Sequence, residues 1–196
     1  MTQSVPQQVT ETGTLLVFAH ADEATAFADV EHCVTGVGKV NAAVSLAAAL
    51  AEGGVERVVV LGTAGVVGDG AARLDLDTVY QVTGLVQHDY SLPSPLLRPS
   101  GEVVLPEVRT AVMATGDQFV KNDEQRTRIA GLGAALVDME GYAYAALCAK
   151  FGATLQIFKV PSDFADSSTT DAEWDAIAAR KSVQLREFWD AGLREA

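Results

Sequence analysis

Hydrophobic positions along this chain form short runs that alternate with segments of helical composition. The runs typical of strands are residues 14–19, 32–35, 57–61, 78–84, 109–114, 134–137 and 154–160. Helices are predicted for residues 22–29, 39–51, 123–131, 142–150 and 171–191. This alternation favours an α/β fold, which we expect to be a three-layer αβα sandwich with a mixed, mostly parallel central sheet.

Glycine and proline mark two segments that we expect to be irregular. Residues 62–70 are rich in glycine, and residues 87–106 contain four prolines. The second segment is long for a connection inside a compact domain, so it is a candidate binding or interface loop. Thr170 and Glu173 form a predicted capping box at the start of the last helix.

The bulk composition fits one globular domain. The chain has 196 residues, of which 48% are hydrophobic, and we expect a single domain over residues 13–196. Residues 1–12 are polar and are expected to form a flexible tail, since they lack the pattern of a signal peptide. No apolar run is long enough to cross a bilayer. The net charge of −12 disfavours nucleic acid and anionic membranes as partners.

Cysteine and histidine usage argues against disulfides and zinc. Cys33 and Cys148 both fall inside predicted elements, so buried free thiols in a reducing, cytoplasmic compartment are expected. The three histidines are scattered, and neither cysteine belongs to a CxxC pair, so a zinc site is not expected.

Two carboxylates follow predicted strands near the C-terminal end of the chain. Glu140 follows the strand at 134–137, and Asp163 follows the strand at 154–160. Ligands of open α/β sheets bind beyond the carboxyl ends of the strands. Two acids there could protonate a leaving group and stabilise a developing cation, which is the chemistry of breaking a glycosidic bond. A lone Asp after Pro161 could equally be a turn former or a helix cap.

Two glycine clusters also follow predicted strands. Gly36 and Gly38 are similar to the start of a dinucleotide fingerprint, but Asn41 occupies the place of the third glycine, so we expect a tight turn beside a ligand instead. In the run GTAG at 62–65, the Thr63 hydroxyl and the backbone N–H groups up to Gly65 could face a sugar or an oxyanion. The alternative is a turn that only reverses the chain.

Other candidate residues have two interpretations each. Phe119 is either a core aromatic or a ring that stacks on a heterocycle. Met139 is either core filler or an apolar floor under a ribose. Asp22 and Glu23 open the first helix, where the helix dipole favours acids, and one of them could also activate a water molecule.

Taken together, five short segments resemble the purine nucleoside phosphorylase superfamily, and most closely its methylthioadenosine/S-adenosylhomocysteine nucleosidases. They occur in the family's order and are TGVGKVNAA at 35–43, GTAG at 62–65, TGDQF at 115–119, VDMEG at 137–141 and SDFAD at 162–166. Each is short, and the five in register carry the resemblance.

The resemblance implies a role for each matching residue. Asp163 matches the acid that delivers a proton toward N7 of the purine, and the neighbouring Ser162 is a candidate substrate-binding residue. Glu140 matches the acid that holds the ribose hydroxyls, and Met139 matches the residue packed against the sugar. Phe119 matches the aromatic that stacks on the base.

Further roles are implied around the base and the nucleophile. Val120 would offer backbone groups to the purine, and Thr63, with Gly65 in the same run, would lie near the ribose and the nucleophile. The water-activating acid of the nucleosidases falls on Asp22 or Glu23, which the resemblance does not separate. No cofactor and no metal ion are expected for this mechanism.

The resemblance leaves a choice between hydrolysis and phosphorolysis. Phosphorylases of the superfamily hold phosphate with arginines, and one of these falls on Val60 here, while residues 19–28 contain neither arginine nor lysine. We therefore expect a nucleosidase that releases the base from a purine nucleoside, such as methylthioadenosine or S-adenosylhomocysteine. The alternatives are a phosphorylase that uses Lys39 or Arg73, and a catalytically silent nucleoside-binding protein.

The chain departs from the family pattern in three places. Lys159 stands where the family often has arginine, Asp138 stands where nucleosidases commonly have glutamate, and the connection before Thr35 is short. These changes affect the pocket for the 5′ group, which the family completes with a second subunit. We expect a homodimer in which residues 88–92 are contributed to the partner's pocket.

Overall fold

The computed structural model describes residues 13–70, 73–168 and 174–193, and within them seven strands form one mixed sheet. The predicted Thr170–Glu173 capping box and the predicted tail lie outside the described residues. The strands are β1 (Thr14–Phe18), β2 (Cys33–Val34), β3 (Arg57–Val66), β4 (Tyr80–Gln87), β5 (Thr110–Thr115), β6 (Leu136–Asp138) and β7 (Thr154–Asp163).

The sheet combines two sets of parallel strands. Strands β1, β2, β3 and β7 run parallel to one another, and β4, β5 and β6 form a second parallel set that is antiparallel to β3 and β7. Strand β7 pairs with both β4 and β3, so β3, β6, β5, β4 and β7 close into a ring. The mixed sheet is as expected, but its closure means that an open three-layer sandwich describes the molecule only in part.

Helices pack on both faces of the β1–β3–β7 part of the sheet. Among the described residues the helices are α1 (Lys39–Glu52), α2 (Asp123–Ala130), α3 (Gly141–Phe151), α4 (Trp174–Phe188), two 3-10 helices (Ala21–Phe27 and Glu107–Arg109) and a π turn (Trp189–Leu193). Buried residues of α1 and α3 pack with Val58 and Val60, whereas those of α4 and the first 3-10 helix pack with Val59 and Leu61. The alternation of side chains along β3 explains why its whole valine-rich run is buried.

Two strands are longer than the sequence pattern predicts. β3 continues through Gly62 and Gly65 into the segment expected to be a loop, and β7 passes Pro161 to end at Asp163. The two strands pair with each other along this extension, and β6 adds a further pairing at Gly65 and Val66. Backbone hydrogen bonds from neighbouring strands therefore override the local tendency of glycine and proline to end a strand.

The first and last helices, the proline-rich segment and the cysteines can also be compared with the sequence predictions. The first helix is a 3-10 helix that ends at Phe27, and the last described helix gives way to the π turn at Trp189. Residues 88–106 contain no helix or strand beyond an isolated bridge at Leu97, as expected. Cys33 and Cys148 are both free. Within the described ranges, no helix is both long and apolar enough to cross a membrane.

Candidate active site

A cavity of about 350 Å³ lies where β3, β6 and β7 end. All the predicted site residues except Asp22 line it. They are Glu23, Thr63, Gly65, Phe119, Val120, Met139, Glu140, Ser162 and Asp163. The two acids on which the functional hypothesis depends, Glu140 and Asp163, therefore face one common space.

Strand pairing around Gly65 brings these acids together. Gly65 pairs with Val137 of β6 on one side and with Asp163 of β7 on the other. A Cβ atom on Gly65 would lie 3.3 Å from Asp163 Oδ1 and 3.0 Å from Ala165 Cβ. Glycine thus allows the end of β7 to approach β3 closely enough for Asp163 to enter the cavity.

Asp163 has a fixed carboxyl group. Its Oδ2 accepts a hydrogen bond from Ser162 Oγ at 2.6 Å, and its Oδ1 accepts one from Ala165 N at 2.7 Å. Ala165 has φ +49°, a left-handed conformation that is uncommon outside glycine and turns the chain back toward the carboxyl group. Phe119 and Val120 line the same cavity, and the Phe119 side chain is 38% exposed, so its ring is not core filler.

Glu140 is buried, and its Oε1 accepts a hydrogen bond from Gly38 N at 2.7 Å. Gly38 has φ +94°, so the predicted glycine turn before α1 serves to aim a backbone N–H at this carboxyl group. Burial and then the nearby Asp138 raise the pKa of Glu140 to about 8, against the opposing influence of Lys159 and of the Gly38 N–H bond. The raised pKa favours the protonated form of Glu140 near neutral pH, and a positive charge beside it favours the carboxylate.

Glu23 is the acid of the first helix that reaches the cavity. Its Oε1 accepts hydrogen bonds from Thr63 N at 2.6 Å and Thr63 Oγ1 at 2.8 Å, and its Oε2 accepts one from His20 N at 3.2 Å. A Cβ atom on Gly62 would lie 3.0 Å from Glu23 Oε1, so the glycine leaves room for this carboxylate. Asp22 does not line the cavity, and its carboxylate lies 3.4 Å from the His20 ring instead.

Some lining residues were missed by the sequence reasoning. Asp138 lines the cavity and forms a buried ion pair with Lys159, whose Nζ lies 3.2 Å from Asp138 Oδ2. The sequence reasoning noted both residues as departures from the family pattern, but it gave no sign that they pair with each other. His20 and Trp174 also line the cavity, with their rings in edge contact at 5.1 Å between centroids. His20 precedes the acids at the end of β1, but no sequence signal pointed to Trp174.

Lysine and arginine side chains are absent from the described lining of the cavity. Lys39 Nζ lies 2.7 Å from Asp89 Oδ1, and Arg73 stacks 3.6 Å from the centroid of the Phe164 ring, so both cations named for the phosphorylase alternative are engaged elsewhere. In the part of the chain that the structure covers, no group of three or more His, Cys, Asp or Glu side chains is arranged to hold a metal ion.

The chain is an α/β protein with a mixed sheet, and several acidic side chains line a cavity where β3, β6 and β7 end. The family model described as the Phosphorylase superfamily matches residues 26–191, and the chain belongs to this superfamily. The resemblance recognised from the five sequence segments is thereby confirmed.

Similar proteins are named nucleosidases. An aminodeoxyfutalosine nucleosidase of Helicobacter pylori is 30% identical over 153 residues, a match that spans 66% of this chain and 65% of that protein, just under two thirds of its length. A 5′-methylthioadenosine/S-adenosylhomocysteine nucleosidase of Marinomonas sp. is 29% identical over 182 residues, covering 79% of this chain and 77% of that protein.

Solved structures share the fold at lower identity. A 5′-methylthioadenosine/S-adenosylhomocysteine nucleosidase of Helicobacter pylori, complexed with a substituted pyrrolidin-3-ol, has a TM-score of 0.80 at 20% identity, covering 93% of this chain and 98% of its own. The futalosine hydrolase of the same organism has a TM-score of 0.79 at 19% identity, covering 93% and 97%.

Proposed function

We propose that this protein is a nucleosidase that hydrolyses the N-glycosidic bond of a purine nucleoside, specifically a 5′-modified adenosine such as methylthioadenosine or S-adenosylhomocysteine. The carrying observation is that Glu23, Glu140 and Asp163 line one cavity whose described lining contains no lysine or arginine. The nucleosidase names of the relatives support the reaction class.

Asp163 acts on the base in this proposal. As the C–N bond breaks, its carboxyl group gives a proton to N7, so that the purine leaves as a neutral base. The hydrogen bonds from Ser162 and Ala165 keep the group oriented for this transfer. Phe119 stacks on the purine, and backbone groups of Val120 face its edge.

Glu140 acts on the sugar. It binds the ribose hydroxyls over Met139, which is half-buried at the cavity wall. The ribose gains positive charge as the base departs, and the ionised form of Glu140, whose proton has passed to solvent before the bond breaks, stabilises that charge. A buried, preorganised carboxylate beside a developing cation lowers the barrier, by roughly a hundredfold or more in rate for one such group.

Glu23 activates the nucleophile. A water molecule near Thr63 gives its proton to Glu23 as its oxygen bonds to the anomeric carbon, which completes hydrolysis. Carboxylates would repel a phosphate dianion there, and bidentate cationic partners are lacking among the described lining residues. A silent binder would be marked by nucleoside binding without turnover and by the lack of a usable acid near Asp22 and Glu23, so the presence of Glu23 in the cavity lining favours an enzyme.

A second copy of the chain completes the site in this proposal. Val40 and Val44 on α1 are exposed, and so are Tyr90 and Leu92 in the irregular loop. The bond from Lys39 Nζ to Asp89 ties the start of α1 to that loop, and we infer that these four side chains belong to one apolar patch. A symmetric homodimer would cover the patch and bring it to the 5′ end of a bound nucleoside.

The deciding experiment is a phosphate-free assay of base release. The panel is adenosine, inosine, methylthioadenosine, adenosylhomocysteine, futalosine and aminodeoxyfutalosine, followed by chromatography. Release of free base without phosphate is expected for a 5′-modified adenosine. Release only with phosphate, with formation of ribose 1-phosphate, would establish a phosphorylase, and nucleoside binding without turnover would establish a silent binder.

The expected cytoplasmic location rests on the two free cysteines.

A further inference from the structure

A buried lysine lies beneath the cavity, in the interior of β7. Lys159 precedes Asp163 by four positions, and its side chain and that of Asp138 are each 2% exposed. A lysine and an aspartate at such depth are retained only when each satisfies the other, because an unpaired buried charge is strongly unfavourable. Neither side chain has a chemical step in the proposed reaction.

Asp138 ties down the turn that carries the sugar-binding residues. Its Oδ1 accepts a hydrogen bond from Thr115 Oγ1 at 2.7 Å, and its Oδ2 accepts one from Gly141 N at 2.9 Å. Thr115 Oγ1 in turn accepts a hydrogen bond from Tyr142 N at 3.0 Å. The first two backbone N–H groups of α3 are thus held to the ends of β6 and β5, and Met139 and Glu140 lie between these anchors.

Lys159 locks this arrangement through the same oxygen. Its Nζ lies 3.2 Å from Asp138 Oδ2, the atom that also accepts from Gly141 N. The carboxylate of Asp138 therefore receives donors from β5, α3 and β7, and its orientation is determined by all three. The position of the Glu140 carboxyl group, which accepts the hydrogen bond from Gly38 N, depends on this turn.

The pair also sets the electrostatic surroundings of Glu140. The groups that act on Glu140 are Asp138 on β6, Lys159 on β7 and Glu23 on the first 3-10 helix. Tyr144 on α3 is near enough for Glu140 to act on it, and its hydroxyl is bonded to Thr35 Oγ1 at 2.5 Å. Burial lowers the pKa of Lys159, but the three neighbouring carboxyl groups outweigh this and raise it, so Lys159 remains a cation.

We propose that Lys159 and Asp138 are a pair of positioning residues that hold the turn carrying Met139 and Glu140, so that the surroundings of the Glu140 carboxyl group depend on both of them. Lys159 favours the carboxylate and Asp138 favours the neutral acid, so the two together keep both forms of Glu140 accessible, and its proton passes to solvent when the carboxylate forms. The catalytic meaning of this pair rests on the proposed function, whereas its effect on Glu140 does not.

The test measures the ionisation of Glu140 directly. The folded full chain is labelled with ¹³C at the glutamate carboxyl carbon, its pH titration is followed by NMR, and the Glu140 signal is assigned by its loss in Glu140→Gln. Lys159→Met is expected to move the Glu140 midpoint upward by about one unit, and Asp138→Asn is expected to move it downward. The double variant Lys159→Met/Asp138→Asn is expected to return close to the wild-type midpoint.

A matched control is Lys181→Met. Lys181 is also a buried lysine, but it bonds Leu76 O and Asp77 and is not among the groups that act on Glu140, so its removal should leave the Glu140 midpoint unchanged. Midpoints that shift in the same direction in both single variants, or that do not shift, would overturn the proposal. If Lys159→Met does not fold, Asp138→Asn and the charge-free double variant still decide the matter.

Kinetics provide a second readout that separates this proposal from the proposed function. In an active enzyme, the acid limb of the pH profile of kcat/KM should move with the NMR midpoint in each variant. An upward midpoint shift in Lys159→Met and a downward shift in Asp138→Asn, in a chain that hydrolyses no nucleoside, would support the role of the Lys159–Asp138 pair and reject the proposed reaction. Nucleoside hydrolysis with unchanged Glu140 midpoints in the variants would support the proposed reaction and reject the role of the pair.

Discussion

The carboxyl groups of Glu23, Glu140 and Asp163 share a cavity but have different surroundings. Glu23 accepts hydrogen bonds from Thr63 and from the backbone of His20, which fix the position of its carboxyl group. Glu140 is buried and accepts one backbone N–H. Different environments can assign acid, base and electrostatic roles to chemically similar groups, and the proposed reaction needs all three roles.

At this scale Asp163→Asn is expected to lower kcat by about a hundredfold or more with little change in KM, because it removes a proton donor without removing a contact. Steady-state base release measures both constants. Asp166→Asn is a matched control, since Asp166 lies on the same loop but bonds Ser168 and does not line the cavity. A wild-type kcat in Asp163→Asn would reject the assignment.

The choice between Asp22 and Glu23 can be tested in the same way. Glu23→Gln should lower turnover by about a hundredfold or more, because the water loses its base. Asp22→Asn should remain close to wild type, since Asp22 does not line the cavity. The reverse pattern of rates would transfer the role to Asp22.

The raised pKa of Glu140 predicts that the free energy of unfolding depends on pH. The unfolded state ionises this group near its ordinary pKa of 4.5, whereas the folded state keeps the proton up to about 8. The unfolded state therefore binds fewer protons between these values, and the free energy of unfolding should fall as pH rises through this window. Urea unfolding at pH 5 and pH 8 should show a larger fall for wild type than for Glu140→Gln, and equal falls would contradict the raised pKa.

Elements matter here through their pairing rather than their local propensity. The order of strands and helices follows from the hydrophobic pattern, and most predicted elements are present with shifted ends. The lengths of β3 and β7 were not predictable from Gly62, Gly65 and Pro161, because strand pairing on both sides decides them. The same strand pairing forms the cavity. The sequence named the residues that line it, but only the paired strands show that these residues lie together.

The extension of β3 can be tested at Gly65. Gly65→Ala should destabilise the fold by about 1–3 kcal/mol and weaken turnover, because its Cβ would lie 3.0 Å from Ala165 Cβ and 3.3 Å from Asp163 Oδ1. Chemical denaturation and base release measure the two effects. Unchanged stability and activity would mean that the close approach of β7 is not required.

For the whole molecule, the apolar patch defined by Val40, Val44, Tyr90 and Leu92 is the feature that points to assembly. Val44→Asp should convert a dimer into a monomer and raise KM for 5′-modified substrates, because a charge would enter the interface. Light scattering after gel filtration measures the mass. Val183→Asp on α4 is the control, since that valine is similarly exposed but lies away from the patch. A wild-type chain that is monomeric at assay concentration would contradict the homodimer.

The sequence by itself determined the order of elements, the strand ends that carry Glu140 and Asp163, and the superfamily, because these depend on local pattern and short motifs. Only the tertiary structure decided that the sheet closes, that Glu23 rather than Asp22 lines the cavity, and that Lys159 pairs with Asp138. These outcomes depend on strand register and helix geometry that join residues distant in the chain. Local propensity carries no information about such contacts until the partner strands are in place.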